Sequence, residues 1–447
     1  MEQNEKHIRL TTEPIPGLIT SLAVPTIISM LVTTFYNMAD TFFVSKIEGE
    51  ATSATGAVGV VFSAMAIIQA IGLFFGQGSG NYMSRKLGER DINTAKVMAS
   101  VGFFSAFIFG ILFASVGNIF RGPLALLLGS TETILPHAKD YLSIILLGAP
   151  FMVCSLVLNN QLRYQGSAVY GMIGMVSGAV INIGLDPLFI FVFDMGISGA
   201  ALATILSQIC SFTILLIGAN SKNNISPSFK TFRPSFTLYK EMFRLGFPSL
   251  IRQSIASFGT ICLNTVAGIY GDFAIAALSI VARTVNFGAS IIIGYGQGFQ
   301  PVCGFNYGAK KNSRVREAFF FSLKVTTIFA ASVSVIFAIF AHEVISLFSV
   351  DPEVLSFGAM ALRAQCLMFS LNGFNIISNM MMQNIGRVGS ASFLSLARQG
   401  LFFVPAAIIL EAFFGLYGLM FAAPTADLVA FICAFFLQRN VLKSIKD

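Results

Sequence analysis

Along almost its whole length the chain is a succession of apolar runs, each about as long as the roughly 20 residues that a helix needs to cross a bilayer's hydrocarbon core. Inside that core every backbone N–H and C=O must be paired within the segment, which a helix does by itself. Spans are expected at 18–43, 53–78, 95–117, 138–160, 168–191, 197–219, 246–269, 274–299, 316–340, 357–381, 390–413 and 416–437. With 55% of its 447 residues hydrophobic, 11% charged and a mean hydropathy of +0.77, the chain leaves little polar sequence for a soluble domain. The expected fold class is therefore all-α integral membrane, with about twelve transmembrane helices.

The basic residues fall unevenly between the runs. Lys6 and Arg9 precede the first span, and Arg85, Lys86 and Arg90 follow the second. Lys222, Lys230, Arg233, Lys240 and Arg244 follow the sixth, Lys310, Lys311, Arg314 and Arg316 the eighth, and Arg439, Lys443 and Lys446 the last. The intervening loops hold little beyond Lys46, Arg121 and Lys139. By the positive-inside rule both termini are cytoplasmic and the number of spans is even. The net charge of +7 is thus an orienting charge on a multi-pass cell (inner) membrane protein, with lipid as its surroundings, and not the footprint of a nucleic-acid partner. The first residues lack the apolar core and small-residue cleavage site of a leader, so no cleaved signal peptide is expected.

An internal repeat of about 220 residues organises the spans. Leu22-Ala-Val-Pro25 recurs as Leu245-Gly-Phe-Pro248 and Gly76-Gln-Gly78 as Gly296-Gln-Gly298; Gly166 answers to Gly386 and Gly199 to Gly418. Six spans per half give two parallel, pseudo-symmetric lobes: residues 1–220, a cytoplasmic linker at 221–244, and residues 245–447. Duplicated helical lobes are the architecture of alternating access, so the chain is expected to move a solute. No enzyme motif is present. Gly294-Tyr-Gly296-Gln-Gly298 lacks the Lys and strand of a phosphate-binding loop, and neither the six Cys nor the three His form a metal-ligand spacing.

Ionisable residues inside spans are costly, and mark functional positions by default. Asp40 shares a helix face with Thr33, Tyr36 and Asn37; the alternative is an interfacial carboxylate near the following loop. Asp186 follows Asn182 by one turn and precedes Pro187, which cannot donate to the carbonyl of Ile183; the alternative is that Asp-Pro simply ends the helix. Such an oxygen cluster suits a proton on a carboxylate or a small hard cation. At the repeat spacing Asp186 answers to Ala406 and Asn182 to Phe402, so the carboxylates belong to the first half alone, which favours coupling over packing. Weaker candidates for a substrate cavity are Tyr36, Asn37, Met381, Arg252 and Asp427, the last able to pair with one of the intramembrane arginines Arg252, Arg283, Arg363 and Arg398 or to contact substrate.

Taken in order along twelve spans, Leu22-Ala-Val-Pro25, Asp40, the duplicated Gly-Gln-Gly, Arg163-Tyr-Gln-Gly166 and Asn182 to Pro187 resemble the multidrug and toxic compound extrusion (MATE) transporters, in particular a bacterial branch with its cation site in the N-terminal lobe. The resemblance covers essentially the whole chain. It implies a proton- or sodium-binding site at Asp40, Tyr141, Asn182, Asp186 and Thr204, with Pro25 as a hinge in the first span and Pro187 as a second. It also implies export of small organic cations or amphipathic drugs by antiport, with no cofactor beyond the coupling ion, by a monomer. Some relatives carry coupling carboxylates in spans 7 and 10; here those spans offer Arg252, Gln253, Asn375 and Asn379 instead. A lipid-linked precursor flippase of the same superfamily is the alternative function.

Overall fold

The computed structural model describes residues 3–44, 46–47, 51–221 and 223–445, the side chains of 3, 37, 41 and 51–55 excepted. In chain order its helices are α1 (Gln3–Thr12), α2 (Ile15–Val44), α3 (Ala51–Gly88), α4 (Ile92–Ile119), α5 (Arg121–Leu127), α6 (Leu135–Tyr164), α7 (Ala168–Pro187), α8 (Gly196–Ala219) and α9 (Phe236–Ala267). They continue with α10 (Asp272–Gly308), α11 (Asn312–Ile339), α12 (Ala341–Ser346), α13 (Pro352–Phe369), α14 (Leu371–Asn384), α15 (Val388–Leu396), α16 (Phe403–Phe414), α17 (Leu416–Leu419) and α18 (Ala422–Ser444). Among the described residues ten helical stretches are long and apolar enough to cross a membrane, and eleven when α13 and α14, bent by 52° at their junction, count as one span. The 32 residues of α9 make the twelfth long helix, its first turns carrying Lys240, Glu241 and Arg244.

Several helices run past the expected span ends. Arg85 and Lys86 lie on the last turn of α3 and not in a loop, because nothing between Gly78 and Gly88 interrupts the helical hydrogen bonding. Helix α7 does not stop at Asp186-Pro187 either: it passes into a π-helical turn, Leu188–Val192, whose wider ring accommodates the N–H that Pro187 lacks.

Two compact units emerge, one holding α1 and Val24–Gly246, the other Glu13–Ala23 and the chain from Phe247 onward. This partition differs from a division at residues 221–244. The segment between α8 and α9 packs into the first unit: the Ser228 N–H donates to Ser100 Oγ at 2.9 Å, the Ile225 N–H to Gln165 Oε1 at 2.7 Å, and Phe229 stacks on Phe104. Two of the three breaks in the partition, after Ala23 and after Gly246, fall just ahead of the repeated prolines, Pro25 and Pro248.

Within the first unit α3 and α6 pack along one another, so closely that a methyl on Gly72 would meet Leu156 and one on Gly80 would meet Tyr164, and they are tied by polar contacts: Tyr164 donates to Gln77 at 2.5 Å and Gln161 to Ser79 at 3.0 Å. Buried polar side chains satisfied across helices are the glue expected where apolar surface alone cannot distinguish neighbour from lipid. The second unit has its own apolar core, with Val281, Ile292, Leu362 and Phe369 at its centre.

The Gly-Gln-Gly repeat has a packing role. A methyl group on Gly78 of α3 would collide with the backbone of Met242 in the first turns of α9, and one on Gly298 of α10 with the backbone of Ala23 in α2. Each contact lies within one unit and lets two helix backbones approach closely. Left-handed backbone marks the same repeat: Gly166 and Gly386 have φ of 82° and 81°, and Arg90 and Lys310 have φ of 63° and 58°.

Candidate functional site

Four helices of the first unit carry polar side chains into one apolar interior. Asn182 and Asp186, one turn apart on α7, are buried to within 1% exposure, as are Tyr141 of α6 and Thr204 of α8. Tyr36, at the start of the last third of α2, is 9% exposed, and Asp40 follows it by one turn on the same helix, partly buried. Helical spacing places these pairs on single faces: a four-residue step returns to the same side of the helix.

The cluster is short of donors. Asn182 Nδ2 donates to Asp186 Oδ1 at 3.3 Å. Asp186 Oδ2, Asp40 Oδ1, Asn182 Oδ1 and Thr204 Oγ1 are all buried without a hydrogen-bond partner. The two carboxylates lie within electrostatic range of each other and of the hydroxyls of Tyr36 and Tyr141, and Thr204 approaches both tyrosines without closing a bond of good geometry. Leaving a buried acceptor unpaired costs about 1–3 kcal/mol, more when it is charged. Two carboxylate oxygens, an amide oxygen and a hydroxyl left unpaired in one place make a donor set that suits a proton or a small hard cation. Among the described residues no group of three or more His, Cys, Asp or Glu is assembled, so the donor set is two carboxylates, an amide and hydroxyls, suited to a singly charged ion.

The alternative reading of Asp186 fails on the structure. Asp186 does not end a helix, since helical backbone continues to Val192. Asp40 lies one turn inside α2, which continues to Val44, and its Oδ1 is buried without a hydrogen-bond partner among the described residues.

Of the sequence-predicted residues, the structure thus brings together Tyr36, Asp40, Tyr141, Asn182, Asp186 and Thr204. The side chain of Asn37 lies outside the described residues. Pro25 sits inside α2 and Pro187 at the end of α7, each interrupting one backbone hydrogen bond of a continuing helix. Met381, Arg252 and Asp427 belong to the second unit. Met381 is fully buried, its sulfur accepting from Gln438. Asp427 lines a cavity there, and Arg252 is not part of that cavity's wall.

The family model MatE matches the chain twice, over residues 25–188 and 248–409, each match beginning at a repeated proline. The chain belongs to the MatE family. Its likeness to MATE proteins extends nearly end to end. It is 28% identical over 423 residues to the multidrug export protein MepA of Staphylococcus aureus, covering 94% of this chain and 93% of that one. It is also 28% identical over 416 residues to MepA of Staphylococcus haemolyticus, covering 93% and 91%. Among solved structures it superposes on the outward-facing conformation of a multidrug resistance MATE family transporter of the MOP superfamily with a TM-score of 0.92, at 27% identity and 98% coverage of both chains. A MATE protein with this many apolar helices is a multi-pass membrane protein.

Proposed function

We propose that this MATE protein is a cation-coupled antiporter that exports amphipathic or cationic organic compounds across the cell membrane by alternating access, with both termini cytoplasmic. The observation that carries the reading is the pair of carboxylates in the first unit, Asp40 partly and Asp186 fully buried, in surroundings that leave four side-chain oxygens without a hydrogen-bond partner. A proton or sodium ion entering from outside completes that donor set; its departure inside restores the acids. A solute whose affinity differs between those two states is driven against its gradient, by an amount equal to the coupling free energy. Pro25, where α2 loses a backbone hydrogen bond, is the point at which that helix flexes as the site fills.

Stoichiometry follows from charge. One net charge crossing about 100 mV releases about 2.3 kcal/mol, enough for about a 50-fold solute gradient. Exchange of one proton for one monovalent cation moves no net charge and draws on the pH gradient alone.

The test is efflux of a fluorescent organic cation from proteoliposomes under imposed proton or sodium gradients, comparing wild type with Asp40→Asn and Asp186→Asn. Gradient-driven efflux in wild type, lost in either variant, supports the reading and names the ion. Efflux that persists in both variants sinks the assignment of coupling to the first unit.

A further inference from the structure

The second unit holds a half-open cavity of about 170 Å³ between α9, α10, α13 and the chain from Arg398 to Asp427. Its wall is apolar over most of its area, through Leu263, Leu278, Val281, Phe403 and Leu419, and charged at one side, where Arg398 meets Asp427. Arg398 projects from a π-helical turn, Ala397–Leu401, and its Nε donates to Asp427 Oδ1 at 2.7 Å. Asp427 is fully engaged: Oδ2 accepts from Gln365 at 3.5 Å and Asn372 at 3.4 Å, its backbone carbonyl accepts from Asn375 at 3.3 Å, and its side chain is 4% exposed. Arg398 is the opposite case. Its side chain is 25% exposed, and among the described residues the only hydrogen bond it makes is through Nε, which leaves both Nη groups with their four N–H donors.

That asymmetry decides what the cavity can recognise. A cation would have to compete with Arg398 for a carboxylate that is buried and already accepts from three side chains. A carboxylate, by contrast, meets a guanidinium held in place from behind, with a donor pair matching its two oxygens. Nor is the pair demanded by the fold: at the repeat spacing the first half has Gly178 and Gln208 there, and Gly178 packs so closely on α8 that an added methyl would meet Ser211 Cβ at 2.8 Å.

We propose that this cavity is a second ligand site, which takes a small amphiphile bearing a carboxylate, its ring against the apolar wall and its carboxylate on Arg398. The volume lies below the about 300–1,000 Å³ of drug-sized sites and matches one compact ring system. The proposal adds a substrate class to the export reading and depends on that reading only for the ligand's being cargo. Binding is measured without any ion gradient, so failure of this site and failure of ion coupling are separate results.

The experiment uses the full chain in detergent micelles and three probes with one ring and different headgroups: 1-naphthoate, 1-naphthamide and 1-naphthylmethylammonium. The chain lacks Trp, so naphthalene emission is read over tyrosine alone. Saturable 1-naphthoate binding, at least about tenfold tighter than either other probe, is expected for wild type, with that preference lost in Arg398→Gln. Ala423→Phe, which fills the cavity while leaving both charged residues, is expected to weaken all three probes. Absence of saturable naphthoate binding to wild type overturns the proposal, as does preference for the ammonium probe. Naphthoate affinity unchanged in a folded Arg398→Gln protein overturns it equally.

Discussion

Asn182 donates to Asp186 across a single turn of α7, at 3.3 Å, and among the described residues is the one side chain that supplies the carboxylate with a hydrogen bond. Removing it leaves both oxygens of Asp186 without a donor in an apolar interior, at a cost of about 1–3 kcal/mol for an uncompensated buried acceptor. Asn182→Leu is therefore expected to leave the protein folded but to slow gradient-driven dye efflux at least about tenfold. Asn182→Ser, which keeps a hydroxyl, should retain more of it. Initial efflux rates in proteoliposomes, normalised to reconstituted protein, check this; equal rates for Leu and wild type would remove Asn182 from the site.

The packing of the duplicated glycines gives a second expectation. Any side chain at Gly78 presses on the Met242 backbone, and any at Gly298 on the Ala23 backbone. Backbone gives way less readily than the end of a flexible side chain, so Gly78→Leu and Gly298→Leu should each destabilise the folded protein by about 1–3 kcal/mol, the usual cost of overpacking. Gly389→Leu, where an added methyl meets nothing within 4 Å, is the control and should be neutral. Thermal melting midpoints in detergent, measured side by side, decide the matter.

Lys6 supplies a pH dependence outside the membrane spans. On α1 it is buried against the first unit, donating to Ser167 Oγ at 2.7 Å and Asn224 Oδ1 at 2.5 Å. Burial, and secondarily the charge of Arg9, lowers its pKa from 10.5 to about 8. The folded state then binds fewer protons than the unfolded one between about pH 8 and 10.5. The Lys6 contribution to stability therefore rises with pH through that window and is at its lowest below about pH 8. Relative to Lys6→Gln, wild type should gain melting stability from pH 8 to pH 10, with a slope no steeper than about 1.4 kcal/mol per pH unit. A difference between the two proteins that stays flat over this range would show that Lys6 is solvated in the folded state.

Much of this molecule was legible in its sequence because a bilayer permits few structures. Apolar runs of span length have to be helices, and an Asp inside one is rare enough that Asp40 and Asp186 stood out before their proximity was known. What the sequence concealed depends on helix rotation and on backbone shape. Arg398 and Asp427 are 29 residues apart on different helices, and periodicity does not state which faces meet, so their pairing was open while the residues themselves were not. The bend between α13 and α14 falls at Ser370, with no Pro to announce it. The anchoring of α1 through Lys6 was hidden too, because a lysine ahead of a first span reads as an orienting charge.

The left-handed positions carry the last prediction. Gly166 and Gly386 end α6 and α14 at φ of 82° and 81°, where a Cβ clashes with the local backbone, and at Gly166 it would also meet Leu10 at 3.0 Å. Alanine at either position should cost about 1–2 kcal/mol. Arg90 and Lys310 occupy the left-handed region too, at φ of 63° and 58°, but with the penalty already present and their side chains exposed. Glycine there removes that strain while adding about 0.5–1 kcal/mol of unfolded-state entropy, so the gain should be small, about 0.5–1 kcal/mol for each of Arg90→Gly and Lys310→Gly. Opposite signs for the two pairs of substitutions, read as melting shifts in detergent, would tie the repeat seen in the sequence to a repeated backbone. Destabilisation by Arg90→Gly would instead show that its side chain contributes more than its backbone strain takes away.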